Sequence, residues 1–361
     1  MSKKYFLLLN KDVEVAVLSV NRGEISVLFK EEKILRRDLI PRDMRELQKW
    51  IEGRYVLSYR NDIRVFFRML RISCIEDFIE ITNCVSLKDT YWVKSLNSRK
   101  TWKDVSPYSN PLNKLIADYS FSRKINGKTV TGSPDFSTDG NFPKCWKRVN
   151  GELYLYKAGS SGACNAGNEP YSEVYASMIA KRMGIHTVDY DISTYKGVTI
   201  SRCKCMTNEN IGLISYRELY DSQICDFEEL LNSVPENCKR NIVDMLLLDY
   251  VTCNIDRHYG NIGLLISNET NRVLGFSPLY DHNLSCIPYY IESDDIESYI
   301  DSQFAKDGRT WSKLFGLVDC SYTRAKLRKL VGATFKLGYK RDRIVNKMIR
   351  IQLNRVLRSD V

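Results

Sequence analysis

The stretch 245–283, MLLLDYVTCNIDRHYGNIGLLISNETNRVLGFSPLYDHN, decides how the rest of the chain is read. Its apolar start is the end of a buried helix. A polar turn holding Asp256, His258 and Asn261 follows, then a short apolar strand, a turn, and a second strand that stops at Asp281. Two chain reversals therefore carry three oxygen donors, Asp256, Asn261 and Asp281, towards one point. Hard cations such as magnesium take oxygen ligands in near-octahedral geometry, commonly one or two carboxylates completed by water and by a nucleotide's phosphates. These residue types suit that ion.

The spacing narrows the reading, because Asp256 and Asn261 stand five apart on one loop and Asp281 follows twenty residues later. In protein kinases a catalytic-loop Asp accepts the substrate hydroxyl's proton, a downstream Asn holds one magnesium, and a later Asp holds the magnesium that bridges the phosphates. With D-R-H-x-x-N at 256–261 and P-L-Y-D at 278–281, the chain resembles the HipA-like serine/threonine kinases. Phosphoinositide kinases share the D-R-H-x-x-N loop, but their second metal Asp heads a D-F-G-like triplet, whereas His282 and Asn283 follow Asp281 here. The resemblance implies an α+β, bilobal protein-kinase-like fold with ATP and Mg2+ as cofactors. It implies Asp256 as general base, and Asn261 and Asp281 as metal ligands. Arg257 and His258 brace the loop, His258 being grouped with the nucleotide-binding residues, and Asp249 in the preceding helix is a hydrogen-bond partner for it.

Upstream, Ser137-Thr138-Asp139-Gly140 and then Asn141 to Lys144 form a polar turn leading into a short strand. Backbone N–H groups in such a turn can cradle phosphate oxygens, and a glycine lets them approach closely. HipA-like kinases carry a comparable S-x-x-G-x-x-x-K phosphate loop, which Ser137 to Lys144 fits, although Thr138 and Asp139 add bulk and a negative charge. In some family members the loop serine is itself phosphorylated and switches the kinase off. Ser137 is the position onto which that behaviour carries, with Thr138 second. A strand over 153–158 ends near Lys157, and a helix beginning at Pro170 and stopping at Gly184 carries Glu173. Kinases use such a lysine against the α and β phosphates and a helix glutamate to hold it, which pairs Lys157 with Glu173 as catalytic residues beside Asp256. Strands over 188–193 and 198–202 lead to Cys203 and Cys205, where a kinase hinge passes the adenine.

The whole chain has 361 residues, 43% hydrophobic, enough for two or three domains with sizeable cores. The apolar run at 5–9 is too short for a signal-peptide core and no stretch reaches membrane-spanning length, so the expected location is the cytoplasm. Eleven cysteines without a paired C-x-x-C, together with three histidines, argue against a disulfide framework or structural zinc. The formal net charge is +10. Residues 321–361 hold twelve Lys or Arg against Asp342 and Asp360, so this tail carries the whole excess.

The expected organisation is an accessory unit over 1–96, a connector over 97–132, a nucleotide-binding small lobe over 133–206 and a helical large lobe over 207–361. The accessory unit reads as alternating strands over 5–10, 14–20 and 25–29, then helical patterns over 43–53, 63–70 and 75–81. The function implied is phosphoryl transfer from ATP to a protein hydroxyl, with autophosphorylation a possibility. Members of the family commonly act as toxins silenced by a small DNA-binding antitoxin. Two alternatives stay open: a nucleotide-binding pseudokinase or regulatory module, suggested by Thr138 and Asp139, and a nucleic-acid-binding regulator acting through the basic tail. An acidic run at 292–301 is a solvated loop or a site for a basic partner.

Overall fold

The computed structural model describes residues 4–21, 24–27, 35–42, 50–51, 53–54, 72–112, 121, 142–220, 226–234 and 236–357. The expected helices over 43–53 and 63–70 lie largely or wholly outside these, as does the stretch 137–140. The chain divides into two compact units. One comprises Met1–Tyr156, Lys204–Ile214 and Leu264–Leu274, and the other Lys157–Cys203, Ser215–Gly263 and Gly275–Val361.

In the first unit, strands β1 (Lys4–Asn10), β2 (Val13–Asn21), β3 (Glu24–Val27) and β4 (Tyr91–Ser95) form a sheet in the order β3-β2-β1-β4. Strand β1 does not alternate as expected: Phe6 to Leu9 are all buried. Phe6 and Leu8 enter a core with Val15, Leu18 and Phe78, while Leu7 and Leu9 pack with Trp92, Trp102 and Val105 on the other side. A strand covered on both faces reads as a continuous apolar run. Helix α1 (Ile75–Thr82) contributes Phe78 and Ile79, and the short α2 (Trp102–Val105) contributes Trp102 and Val105. Strand β4 was not legible because its pairing with β1 spans more than eighty residues of chain. Strands β5 (Lys144–Val149) and β6 (Glu152–Ala158) follow, joined by Asn150 and Gly151 at φ 49° and 85°. Two successive left-handed residues make the tight turn whose twist suits a hairpin.

The second unit begins inside β6, at Lys157. Helix α3 (Glu169–Met183) has Pro170 in its first turn and ends at Gly184, which takes the left-handed φ of 72° that favours glycine after a helix. Its flanks are buried nearly all round, including Glu169, Glu173, Tyr175 and Ile179. Strands β7 (Tyr190–Tyr195) and β8 (Val198–Lys204) form an antiparallel hairpin in which Tyr190 faces Cys203. Strands β9 (Ile211–Ser215), β10 (Gly263–Ser267) and β11 (Val273–Phe276) form a three-stranded sheet in the order β11-β10-β9, most of it in the first unit.

Helices α4 (Tyr216–Tyr220), α5 (Phe227–Ser233) and α6 (Glu236–Thr252) return the chain to the second unit. Met245 to Leu248 and Val251 are fully buried, so α6 is a central helix, and Cys253 ends it with a φ of 51°. Helices α7 (Ile296–Asp301), α8 (Trp311–Gly316), α9 (Ser321–Arg328) and α10 (Asp342–Leu357) complete the unit. Helix α10 buries Ile344, Val345, Met348, Ile349 and Val356 along one side. Tyr250 and Gln352 lock it to α6 by exchanging side-chain-to-carbonyl hydrogen bonds of 2.7 Å each.

Candidate active site

The loop after α6 is organised by one guanidinium. Arg257 has no exposed surface and donates from Nε and Nη2 to the two oxygens of Asp249, at 2.9 and 3.0 Å. Its Nη1 donates to the carbonyls of Asn261 and Tyr280, both at 2.9 Å. One side chain thus ties the 256–261 loop to the residue preceding Asp281. Bidentate pairing makes arginine suited to such a buried junction. Tyr280 adds a second tie, its hydroxyl donating to the Gly260 carbonyl at 3.0 Å. A Cβ at Gly260 would stand 2.9 Å from the His258 ring and 3.1 Å from the Arg217 guanidinium carbon, so a side chain there would have to displace the His258–Arg217 pair.

Asp281 is not at a strand end. Strand β11 stops at Phe276, and Asp281 is placed instead by a bridge between Thr187 and Leu279, in which the Leu279 N–H donates to His186 and the Val188 N–H to Leu279. Asp281 has a φ of 59°, a left-handed conformation that asparagine and aspartate tolerate better than most side chains. His282 behind it is fully buried. Arg257 Nη2 lies 3.1 Å from His282 Nδ1, and because arginine only donates, Nδ1 is the acceptor of a neutral ring whose Nε2 faces Thr187 Oγ1 at 3.4 Å. Burial, then the neighbouring Arg257, holds the His282 pKa well below its ordinary value.

Lys157 meets this segment directly. Its Nζ is 2.6 Å from Glu173 Oε1 and 2.9 Å from Asp281 Oδ1. Glu173, without exposed surface, uses its second oxygen to accept the His282 N–H at 2.9 Å. The ring of Tyr190 lies 5.7 Å from the ammonium, and its hydroxyl accepts the Asp281 N–H at 3.3 Å. Burial alone lowers a lysine's pKa, but Asp281 and Glu173 outweigh it and hold Lys157 well above its ordinary value. Burial also raises the Glu173 carboxyl.

Asp256 sits at the mouth of the loop with its side chain 27% exposed. Its carbonyl accepts the His258 N–H at 2.9 Å and Asn261 Nδ2 at 3.0 Å. Engaging the Asn261 amide nitrogen holds the amide plane and leaves its oxygen outside that hydrogen bond. His258 Nδ1 faces Arg217 Nη2 at 3.1 Å, and burial lowers its pKa. Lysine Nζ of residue 306 lies 2.7 Å from Asp256 Oδ1. Sequence reasoning missed Lys306, His282 and Tyr190, because nothing in the local sequence signals a partner 25 or more residues away.

Of the expected site residues, Lys157 contacts both Glu173 and Asp281, and Arg257 joins the segment before Asp281 to the loop of Asp256, His258 and Asn261. Cys203 is buried opposite Tyr190 on β8. Lys144, buried at the start of β5, and Cys205, whose N–H donates to Leu153 at 2.8 Å, belong to the first unit. Ser137, Thr138, Asp139 and Gly140 lie outside the described residues. Among the described residues no group of three or more His, Cys, Asp or Glu is placed to hold a metal, so a cation here would draw on few protein ligands, an amide and a carboxylate oxygen, as magnesium does beside a nucleotide. No helix of the described residues is long and apolar enough to cross a membrane.

No protein-family model matches the chain. It is 25% identical over 166 residues to the serine/threonine-protein kinase CtkA of Helicobacter pylori, a match covering 41% of this chain and 50% of CtkA. The chain thus spans about half the length of the curated relative it matches. The crystal structure of CtkA aligns with a TM-score of 0.45 and 15% identity, over 60% of this chain and 95% of that one. HipA of Shewanella oneidensis, solved with HipB and operator DNA as a toxin–antitoxin system, aligns with a TM-score of 0.59 and 11% identity over 98% of this chain and 97% of that one. The chain has the α+β, kinase-like fold of HipA and resembles the HipA-like serine/threonine kinases.

Proposed function

We propose that the protein is an ATP-dependent serine/threonine protein kinase of HipA type, transferring a phosphoryl group to a protein hydroxyl. The observation that carries this reading is the Lys157 ammonium held between Glu173 and Asp281, residues 16 and 124 positions away. A buried lysine costs too much to be kept as mere packing unless it is paired, and here the pairing places it beside a carboxylate suited to a metal. The similarity to CtkA supports the same reading.

Lys157 neutralises the α and β phosphates, and Glu173 sets its position. Asp256 accepts the proton of the acceptor hydroxyl as the new O–P bond forms and the bond to ADP breaks. Arg257 touches no reactant and keeps Asp256 and Asp281 in register. Asn261 and Asp281 are the residues that would hold magnesium, which would supply charge neutralisation to the phosphates. Catalysis then consists of positioning and electrostatic stabilisation. A small DNA-binding, antitoxin-like partner is proposed on the strength of the HipA–HipB assembly, with action in the cytoplasm.

The basic tail favours this over a nucleic-acid regulator. Lys326 and Lys329 donate to the Gly184 and Met183 carbonyls at the end of α3, Arg341 to Tyr290 and Ile287, Arg324 pairs with Asp319 and Arg355 with Asp301. Much of the charge therefore caps and cross-links the unit. Incubation with [γ-32P]ATP and magnesium tests the reading: the wild type incorporates label, and Asp256→Ala and Asp281→Ala lose it by about 100-fold or more. Label persisting in either variant overturns the assigned roles.

A further inference from the structure

Lys306 belongs to none of the motifs above, yet its Nζ is 2.7 Å from Asp256 Oδ1. The side chain is 41% exposed, but the turn that carries it is built. The Ala305 N–H donates to Arg309 and the Gly308 N–H to Ala305, each at 2.9 Å, with Gly308 at a φ of 82°. Asp307, with a side chain only 4% exposed, pairs with Arg309 and accepts the Phe227 N–H at the start of α5. Arg309 reaches on to Glu228 at 3.0 Å. The residues on both sides of Lys306 are therefore anchored, and its ammonium is presented to Asp256 by a scaffold.

The loop around Asp256 supplies no cation of its own for the acceptor side. Between Thr252 and Asn271 the only arginine or lysine is Arg257, which is fully buried and committed to Asp249, Asn261 and Tyr280. His258 presents a neutral ring, since Arg217 can only donate to its Nδ1. A phosphoryl group in flight spreads negative charge over its equatorial oxygens, and a cation already in place there stabilises it without reorganisation cost.

We infer that Lys306 is a further catalytic residue, whose ammonium passes from the Asp256 carboxylate to the oxygens of the transferred γ-phosphoryl group. This rests on the kinase reading. The lysine stem's four carbons let Nζ swing while the turn stays still. As the phosphate arrives the ammonium releases the carboxylate, which takes the hydroxyl proton. The acceptor O–P bond forms, the P–O bond to ADP breaks, and Lys306 keeps its three protons throughout.

The test uses the full chain with [γ-32P]ATP and magnesium, myelin basic protein as acceptor, and ADP release as a second readout. Lys306→Met is expected to lower kcat about 100-fold or more while the KM for ATP stays within about twofold, and Lys306→Arg to restore part of the loss. Unchanged thermal midpoints show that both variants fold. A Lys306→Met kcat within about threefold of wild type, a loss residing in KM for ATP, or a gain of activity overturns the inference. If the wild type labels the acceptor and Lys306→Met does so equally, the Lys306 role alone fails. If the wild type releases no ADP and transfers no label, the kinase reading fails and takes this inference with it.

Discussion

Replacing Lys157 by methionine isolates the contact on which the site depends. The ammonium stands 2.6 Å from Glu173 and 2.9 Å from Asp281, and the three side chains are 9%, 1% and 21% exposed. Removing one partner of a buried pair costs about 3–5 kcal/mol, because the remaining charge is left without compensation. Burial already raises the Glu173 carboxyl, so in the variant it takes up a proton and returns part of that cost. The expected loss is therefore at the lower end, about 3 kcal/mol, or a fall of roughly 6–12 °C in the midpoint for a unit of this size. Glu173→Gln in the Lys157→Met background removes the stranded carboxyl, so the double variant should be more stable than Lys157→Met alone. Urea unfolding of the wild type, both single variants and the double variant at pH 7 gives the coupling free energy, expected at about 2 kcal/mol or more. Additivity within about 0.5 kcal/mol, or a Lys157→Met cost below about 1 kcal/mol, refutes the buried pairing. Phosphoryl transfer should stay lost in the double variant even where stability returns.

Two further outcomes follow from other contacts. Arg257→Met strands the buried Asp249 and frees two carbonyls, so it should cost about 3–5 kcal/mol. Hydrogen exchange should quicken together in 254–261 and 279–283, and unchanged protection in the second segment contradicts the bracing role. Asp77, held to about 2 by hydrogen bonds from the Ser73 hydroxyl and N–H, titrates below its unfolded value of 3.8. The folded state thus binds fewer protons, and the contribution is complete above 3.8 and lost as pH falls towards 2. Solvent screening limits it to about 1 kcal/mol, and Asp77→Asn should flatten the stability curve of the first unit in that window. Parallel acid-unfolding curves for wild type and variant would count against it.

Much of the chain from residue 144 to 252 was legible in local chemistry. Proline in the first turn and Gly184 at the stop framed α3, the periodic apolar residues marked α6, and two glycine-containing turns set the hairpins β5–β6 and β7–β8. The acidic run at 292–301 has a plainer role in part: Asp295 caps α7 through the Ser298 N–H, and Asp301 pairs with Arg355. By contrast the residues of β4 carry no alternating strand signal of their own, since the partner β1 is far away in the chain and it is that pairing that holds Tyr91 to Ser95 extended.

The order Lys157, Glu173, Asp256, Asn261, Asp281 was readable from the amino acids alone, because residue type and spacing along a loop or helix are local properties that the chain carries before it folds. Which charge meets which was settled only by the fold. Arg257 turned inwards to join two segments, a bridge at Leu279 rather than a strand end placed Asp281, five of the twelve basic residues of the tail became ties within the unit, and Lys306 arrived at Asp256 from 50 residues downstream. Those pairings depend on burial and on backbone reversals far apart in the chain, and an ion pair's partner has no signature in the residues beside it.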